Sequence, residues 1–200
     1  MPERNTVLRS MHDVGLAAWF GGSLMGAVGL NGAAKGHSDS WRDNARIASV
    51  GWAKWTPVNA AAIGAHLVGT SGLLAANASR VATQQGVAAS TLAKTVLTGA
   101  ALAATAYARM LGKKIELASS MDPQDAEEAA GSFDTGKAER RLSYAQWLVP
   151  AVTGGLLILG ALHGEQQRPA EQARGMWQRA RDLSPHMPSG DHWYWYHQGA

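Results

Sequence analysis

Residues 144–163 have the sequence YAQWLVPAVTGGLLILGALH, which contains no Asp, Glu, Lys or Arg. A helix that crosses a bilayer needs about 20 residues of this kind, because the hydrocarbon core is about 30 Å thick. Two further tracts, residues 14–34 and 55–79, are also free of these charged residues. The 18 Lys and Arg and the 15 Asp and Glu therefore lie outside the apolar tracts. This segregation of charge is typical of a protein that spans a membrane several times.

The sequence predicts an all-α fold, an integral membrane four-helix bundle within residues 1–164. Its spans are expected at about 14–34, 57–78, 90–110 and 144–163. The second span begins at Pro57, a residue suited to the first turn of a helix, and the third contains one charge, Lys94. Small residues at four-residue steps, such as Gly22 and Gly26, favour close helix packing in lipid, where van der Waals contact must hold the helices together.

Two alternatives to this topology are open. A soluble alanine-rich bundle agrees with the mean hydropathy of −0.15 and with the polar residues of the second and third spans. However, residues 58–78 contain no charge, whereas a soluble bundle helix normally has a charged outer face. In the other alternative the first span is a signal peptide, with Arg4 and Arg9 before it and Gly32–Ala34 as the cleavage region. Its apolar stretch is longer than the usual length of about 7–15 residues.

Residues 38–55 are predicted to form an amphipathic helix between spans one and two, capped by Ser38 and Ser40 and ending before Pro57. One face of this helix carries, at helical spacing, Trp41, Ala45, Ala48, Trp52 and Trp55. Tryptophan prefers the headgroup zone of a bilayer, so we expect the helix to lie in the membrane interface. The alternative is an ordinary extramembrane helix that packs on the bundle.

Residues 165–200 are predicted to form an extramembrane tail with a basic segment, 170–183, and a terminal aromatic cluster, 192–197. Tryptophan side chains are expected to make the contacts with the lipid interface or with a partner. These residues are Trp41, Trp52, Trp55, Trp177, Trp193 and Trp195.

Polar side chains inside a membrane span are costly unless they have partners, so they are the first candidates for function. Several of them share one face of the second span, and others lie on the third. The predicted polar pocket consists of His66, Thr70, Asn59, Asn77, Lys94 and Thr98. The alternative is that these groups only form hydrogen bonds that hold the bundle together, as Thr commonly does within its own helix, and that Lys94 reaches towards the membrane surface.

His66 is able to bind haem or a metal ion when its imidazole is neutral. A haem with two histidine ligands needs a second histidine at the same depth, whereas His12 and His163 lie at the ends of their spans. The sequence therefore predicts no cofactor and no metal site. A redox or haem- or metal-binding membrane protein that uses the mid-span histidine is the alternative.

The composition excludes several classes of function. The chain has no cysteine, which excludes thiolate nucleophiles, iron–sulfur clusters and cysteine-ligated zinc. Its net charge of +3 is nearly balanced and indicates no nucleic-acid partner. The sequence contains no Gly-rich phosphate loop, no His-Glu-x-x-His helix and no nucleophile elbow. A non-catalytic protein is therefore favoured.

Residues 8–12, Leu-Arg-Ser-Met-His, and residues 18–23, Ala-Trp-Phe-Gly-Gly-Ser, resemble the first helix of several small membrane families. These families include the uncharacterised DUF4149-like proteins and the CopD-like copper-resistance domains. With residues 26–34 and 162–169, the whole chain is similar to uncharacterised four-span membrane proteins of actinobacterial type. The resemblance implies a four-span topology and gives no activity.

Together these patterns predict a non-catalytic multi-pass protein of the bacterial inner (cytoplasmic) membrane. It is expected to be an accessory or scaffold subunit, or a bundle that binds a small solute or a lipid. Its expected partners are the lipid bilayer and either another membrane protein or a second copy of the chain. Lys and Arg are distributed too evenly between the two sides to predict the orientation in the membrane.

Overall fold

The computed structural model describes residues 5–78, 82, 85–121 and 134–166. They are helical almost throughout and include no β-strand, so the predicted all-α class is confirmed. The helices are α1 (Thr6–Met25), α2 (Asn31–His37), α3 (Trp41–Ala76), α4 (Gln85–Ser120) and α5 (Thr135–Gln166). The chain divides into two compact units after Leu159, so that α1 to α4 and most of α5 belong to the first unit.

A five-residue π-helical segment, Gly26–Leu30, joins α1 to α2. The three segments form one helical run of 32 residues, Thr6–His37. This run begins eight residues before the predicted first span, because the polar residues ahead of Val14 continue the helix instead of ending it. Short π-helical segments within α-helices frequently occur at functional sites.

The prediction of a helix end before Pro57 is wrong, because helix α3 continues through this residue. A single helix of 36 residues contains both the predicted amphipathic segment and the second span. Proline removes one backbone donor and normally kinks or ends a helix. The hydroxyl of Thr56 donates to the carbonyl oxygen of Trp52 at 2.7 Å, but it does not replace the bond that Pro57 cannot donate to the carbonyl oxygen of Ala53. At the start of the helix, the backbone N–H of Asp43 donates to Ser40 Oγ at 3.5 Å, which confirms the predicted capping role of that serine.

Helices α1 and α3 run antiparallel and approach each other closely at two glycines. A Cβ atom at Gly15 would collide with the backbone of α3 at Ala62 and His66. A Cβ atom at Gly69 would collide with the backbone of α1 at His12. A side chain at either glycine would therefore force the two helices apart.

The main apolar core lies where α1, α4 and α5 meet. Its buried members are Leu16, Trp19, Ala101, Ala104, Val149 and Leu156. A second cluster lies between the end of α4 and the start of α5 and consists of Leu111, Ile115 and Ala138. Ala45 and Leu142 pack against this second cluster, so the start of α3 also reaches it.

Among the described residues, three helical runs are long and apolar enough to cross a membrane. These are Thr6–His37, Trp41–Ala76 and Gly136–Leu162. Helix α4, which contains the predicted span 90–110, is not among them, since its threonines and Lys94 lower its mean hydropathy. Within each run, 17–28% of the most apolar 18-residue window is buried inside the protein. Large apolar side chains such as Val68 and Ile158 are therefore exposed on the outside of the helices.

Candidate functional site

A cavity of about 750 Å³ lies between the helices. Four tryptophan side chains line it: Trp41, Trp52, Trp55 and Trp147. Three of them belong to α3, where their spacing places them on one helical face, so the tryptophan stripe seen in the sequence lines this cavity. A volume of this size is typical of a pocket for a small-molecule ligand.

Two glycines of the first helical run make room for tryptophans of α3. A Cβ atom at Gly22 would collide with the indole ring of Trp55, and one at Gly26 would collide with that of Trp52. Both indole rings are therefore half-buried between α1 and α3. Their predicted contact with the membrane interface stays a prediction, as does that of the exposed Trp41.

Asn31 connects three helices through its side chain. Its Oδ1 atom accepts a hydrogen bond from Trp52 Nε1 at 3.0 Å, and its Nδ2 atom donates to Gln146 Oε1 at 2.8 Å. All three residues line the cavity. The chain of hydrogen bonds fixes the position of one tryptophan of the wall relative to α2 and α5.

Three buried polar atoms of the wall have no hydrogen-bond partner within the described residues. They are Asn44 Oδ1, Trp55 Nε1 and Asn59 Oδ1. A buried polar group without a partner costs about 1–3 kcal/mol, so native structures usually pair such groups with protein atoms, water or a ligand. These three atoms are also shielded from the space of the cavity, so they stay unpaired inside its wall.

The cavity also has a charged end, formed by parts of α2, α4 and α5. The charged residues that line it are Lys35, Arg109, Glu116, Glu139 and Arg140. Glu116 forms an ion pair with Lys113, with 2.7 Å between Oε1 and Nζ. The cavity thus combines an aromatic wall, amide groups and charged groups.

A second polar cluster lies at the interface of α1 and α3. The ring of His66, which is 1% exposed, contacts the ring of His12, with 4.6 Å between the ring centroids. His66 Nδ1 lies 3.2 Å from the carbonyl oxygen of His12, and His12 Nδ1 lies 2.7 Å from Asp13 Oδ1. His66 Nε2 is buried and has no hydrogen-bond partner in the part of the chain that the structure describes.

The expectation that His12 and His66 lie at different depths is wrong. Helix α1 begins at Thr6, so His12 lies within the helix and not at its end, and the antiparallel packing on α3 brings it opposite His66. Trp19 extends the cluster to α4, because its ring lies 6.2 Å from that of His66 and its Nε1 atom donates to Thr105 Oγ1 at 3.2 Å. The described residues include no group of three or more His, Asp or Glu side chains that could hold a metal ion.

The six residues of the predicted polar pocket lie on α3, at its C-terminal end and on α4. Asn59 belongs to the wall of the large cavity, whereas the other five are not among its described wall residues. Thr70 and Asn77 donate to carbonyl oxygens four residues earlier in their own helix, at 2.7 and 2.8 Å. Thr98 is buried and Lys94 is half-buried on α4.

Sequence reasoning did not identify Asn31, Arg109 or Arg140 as cavity residues. Asn31 is a polar residue inside the first charge-free tract, a signal that could have identified it. The two arginines carry no such signal, because arginines near the end of a span are common. The predicted tail, with Trp177, Trp193 and Trp195, lies outside the described residues.

Comparison of the chain with protein-family models, with curated proteins and with solved structures found no match. The similarity to DUF4149-like and CopD-like domains stays a prediction. The function is therefore inferred from the residues of this chain.

Proposed function

We propose that the protein is a non-catalytic, multi-pass protein of the bacterial inner membrane whose four-helix bundle binds a small amphipathic ligand. The observation that carries this proposal is the cavity of about 750 Å³ with its tryptophan wall. Ligand pockets are mostly apolar and aromatic and contain a few polar groups that orient the ligand. The amide groups and the charged end of this cavity are groups of that kind.

The distribution of apolar side chains supports the membrane location. Large apolar residues are exposed on all four long helical elements, as in Val14, Val68, Leu92, Val96 and Ile158. Soluble monomeric proteins rarely expose large contiguous apolar patches, whereas lipid chains would cover these side chains. Because Leu92 and Val96 lie one turn apart on α4, we count this helix as the fourth span.

Aromatic residues and arginines support one position for the bilayer surface. Tyr107, Tyr144 and Trp147 are exposed on α4 and α5, and Tyr and Trp favour the boundary between lipid and water. Arg109 and Arg140 lie within about one turn of these aromatic residues, on the side away from the apolar segments. On this basis the apolar part of the cavity lies in the hydrocarbon layer, and its charged end lies at the level of the lipid headgroups.

Filling the cavity tests the proposal. Ala48 lines the cavity, whereas Ala61 lies on the same helix, is exposed and is not part of the cavity wall. The full-length protein and its Ala48→Phe and Ala61→Phe variants would be purified in mild detergent and compared by native mass spectrometry, with helix content checked by circular dichroism. We expect an amphiphile of defined mass on the wild type and on Ala61→Phe, and about tenfold less on Ala48→Phe. An empty wild type, or equal occupancy in both variants, would refute the proposal.

A second candidate function is a redox or metal-binding role for His66. In its favour, His66 Nδ1 contacts a carbonyl oxygen and His12 Nδ1 contacts a carboxylate, the two acceptors that usually orient metal-binding imidazoles. The two rings are in contact and leave no room for a haem plane between them, so this candidate takes the form of a small transition-metal ion. Metal analysis of the purified protein and of His66→Ala tests it, since bound metal should disappear in the variant.

A further inference from the structure

The wall of the large cavity is apolar in one part and charged at one end. On α4 its wall extends from Leu102 to Glu116, about 21 Å at the rise of an α-helix. Ala27 and Ile63 lie with Leu102 in the apolar part of the wall, away from the charged end. A ligand that matches both parts needs an apolar body and a polar head.

The charged end of the cavity has more cations than carboxylates. Its wall contains Lys35, Arg109, Arg140, Glu116 and Glu139. Glu116 is already paired with Lys113, which does not line the cavity. Within the described part of the chain, none of the three cations of the wall forms an ion pair. The chemistry of this end therefore favours an anionic group.

Two of these cations are arginines on different helices. The planar guanidinium group donates two parallel hydrogen bonds to a phosphate or carboxylate, which a lysine ammonium cannot do. Arg109 belongs to α4 and Arg140 to α5, and these helices pack together in this region through Ile115 and Ala138. An anion at this end of the cavity can therefore be bound from two sides.

A second cavity, of about 560 Å³, lies beside the first between α4 and α5. Its wall is almost entirely apolar and includes the exposed Tyr107, Tyr144 and Leu148. Trp147, which is 52% exposed, lines both cavities. In the proposed membrane position this second cavity lies at the boundary between lipid and water, and its wall also contains Arg141.

We infer that the large cavity binds an anionic membrane lipid, with its headgroup on Arg109 and Arg140 and an acyl chain along the apolar wall. The inference rests on the proposed function, because it names the ligand of the same cavity. A zwitterionic lipid would bring its own cation to the cations already present. A free anion would leave the apolar and aromatic wall uncovered.

Binding of two lipids with identical acyl chains tests this inference. Detergent-purified full-length protein would be titrated with phosphatidylglycerol and with phosphatidylcholine, and the bound lipid counted by native mass spectrometry. Each arginine should favour the anionic lipid by about fivefold, so Arg109→Gln/Arg140→Gln should reduce the preference by about 25-fold. The charge-retaining variant Arg109→Lys/Arg140→Lys should keep only part of it, because a lysine ammonium retains the charge but not the paired hydrogen bonds. Arg46→Gln, at an exposed residue outside the cavity wall, should keep all of it.

The outcomes separate the inference from the proposed function. Equal binding of the two lipids by the wild type, or an unchanged preference in Arg109→Gln/Arg140→Gln, overturns the anionic ligand and leaves the amphiphile-binding cavity in place. Loss of the preference in Arg46→Gln also overturns the inference, because it would indicate a general effect of surface charge. If inorganic phosphate fully displaces the anionic lipid, the inference is overturned, because the ligand of the charged end would then be a free anion. Failure of the wild type to bind either lipid overturns the inference, and the proposed function falls with it only if the purified wild type also carries no amphiphile.

Discussion

The imidazole rings of His12 and His66 are in contact, with 4.6 Å between their centroids, and His66 Nδ1 lies 3.2 Å from the carbonyl oxygen of His12. This contact lies between Gly15 and Gly69, where an added Cβ atom would collide with the backbone of the other helix. The buried histidine therefore has a structural role at a helix–helix contact, whether or not it binds a ligand.

Replacement of His66 tests this structural role. We expect His66→Ala to reduce the stability by about 2–4 kcal/mol, because it removes the ring contact and leaves a cavity in a close interface. Thr70→Ala is the matched control, since its hydroxyl bonds only to its own helix at 2.7 Å, and it should cost less than about 0.5 kcal/mol. Thermal unfolding in detergent, followed by circular dichroism, measures both. Similar losses of stability in the two variants would contradict a structural role of His66 at the contact between α1 and α3.

Glycine substitutions test the close approach of α1 and α3. Gly15→Val should cost about 3 kcal/mol or more, because any side chain there collides with the backbone of the other helix. A Cβ atom at Gly64 meets nothing within 4 Å, so Gly64→Ala should be neutral or stabilising by up to about 1 kcal/mol. Melting temperatures of the wild type and both variants in the same detergent measure these changes in stability. Gly15→Val with wild-type stability would mean that the two helices do not pack as described.

The hydrogen bond between Asn31 and Gln146 can be measured by a double-mutant cycle. Asn31→Ala should cost about 1–3 kcal/mol, because it leaves Trp52 Nε1 and Gln146 Oε1 without this partner. Because the two side chains bond at 2.8 Å, Asn31→Ala and Gln146→Ala should couple by about 0.5–1.5 kcal/mol. Unfolding of the two single variants and the double variant gives this coupling energy. Additive effects would show that the contact between α2 and α5 is absent.

The absence of cysteine from the chain allows labelling without background. Ile158→Cys on α5 and Val96→Cys on α4 replace exposed apolar residues, which we expect to face lipid. In intact membranes both should resist a hydrophilic maleimide, whereas Lys114→Cys, at an exposed residue of the charged end of α4, should react once both sides are accessible. If Val96→Cys reacts at the same rate as Lys114→Cys, α4 does not span the membrane. If Ile158→Cys also reacts with the hydrophilic maleimide, the proposed membrane location is wrong.

The helices were more predictable from sequence than the site. Charge-free tracts identified three apolar helical runs, but the local rule for proline placed a helix end at Pro57 where α3 continues. The local rule failed because one lost backbone bond costs less than a long helix gains from packing on both sides of the proline. The polar pocket was predicted from polar residues of the second and third spans, and only Asn59 of that set lines the large cavity.

Amino-acid order alone determined that this chain is helical and that charge is excluded from long stretches, because helix propensity and hydropathy are properties of neighbouring residues. The contacts of His12 with His66 and of Asn31 with Gln146, and the grouping of four tryptophans around one cavity, depended on the folded arrangement. These contacts follow from the depth and register of separate helices. Register is set where glycines such as Gly15 and Gly22 let one helix approach another, and no local pattern specifies which partner each glycine meets.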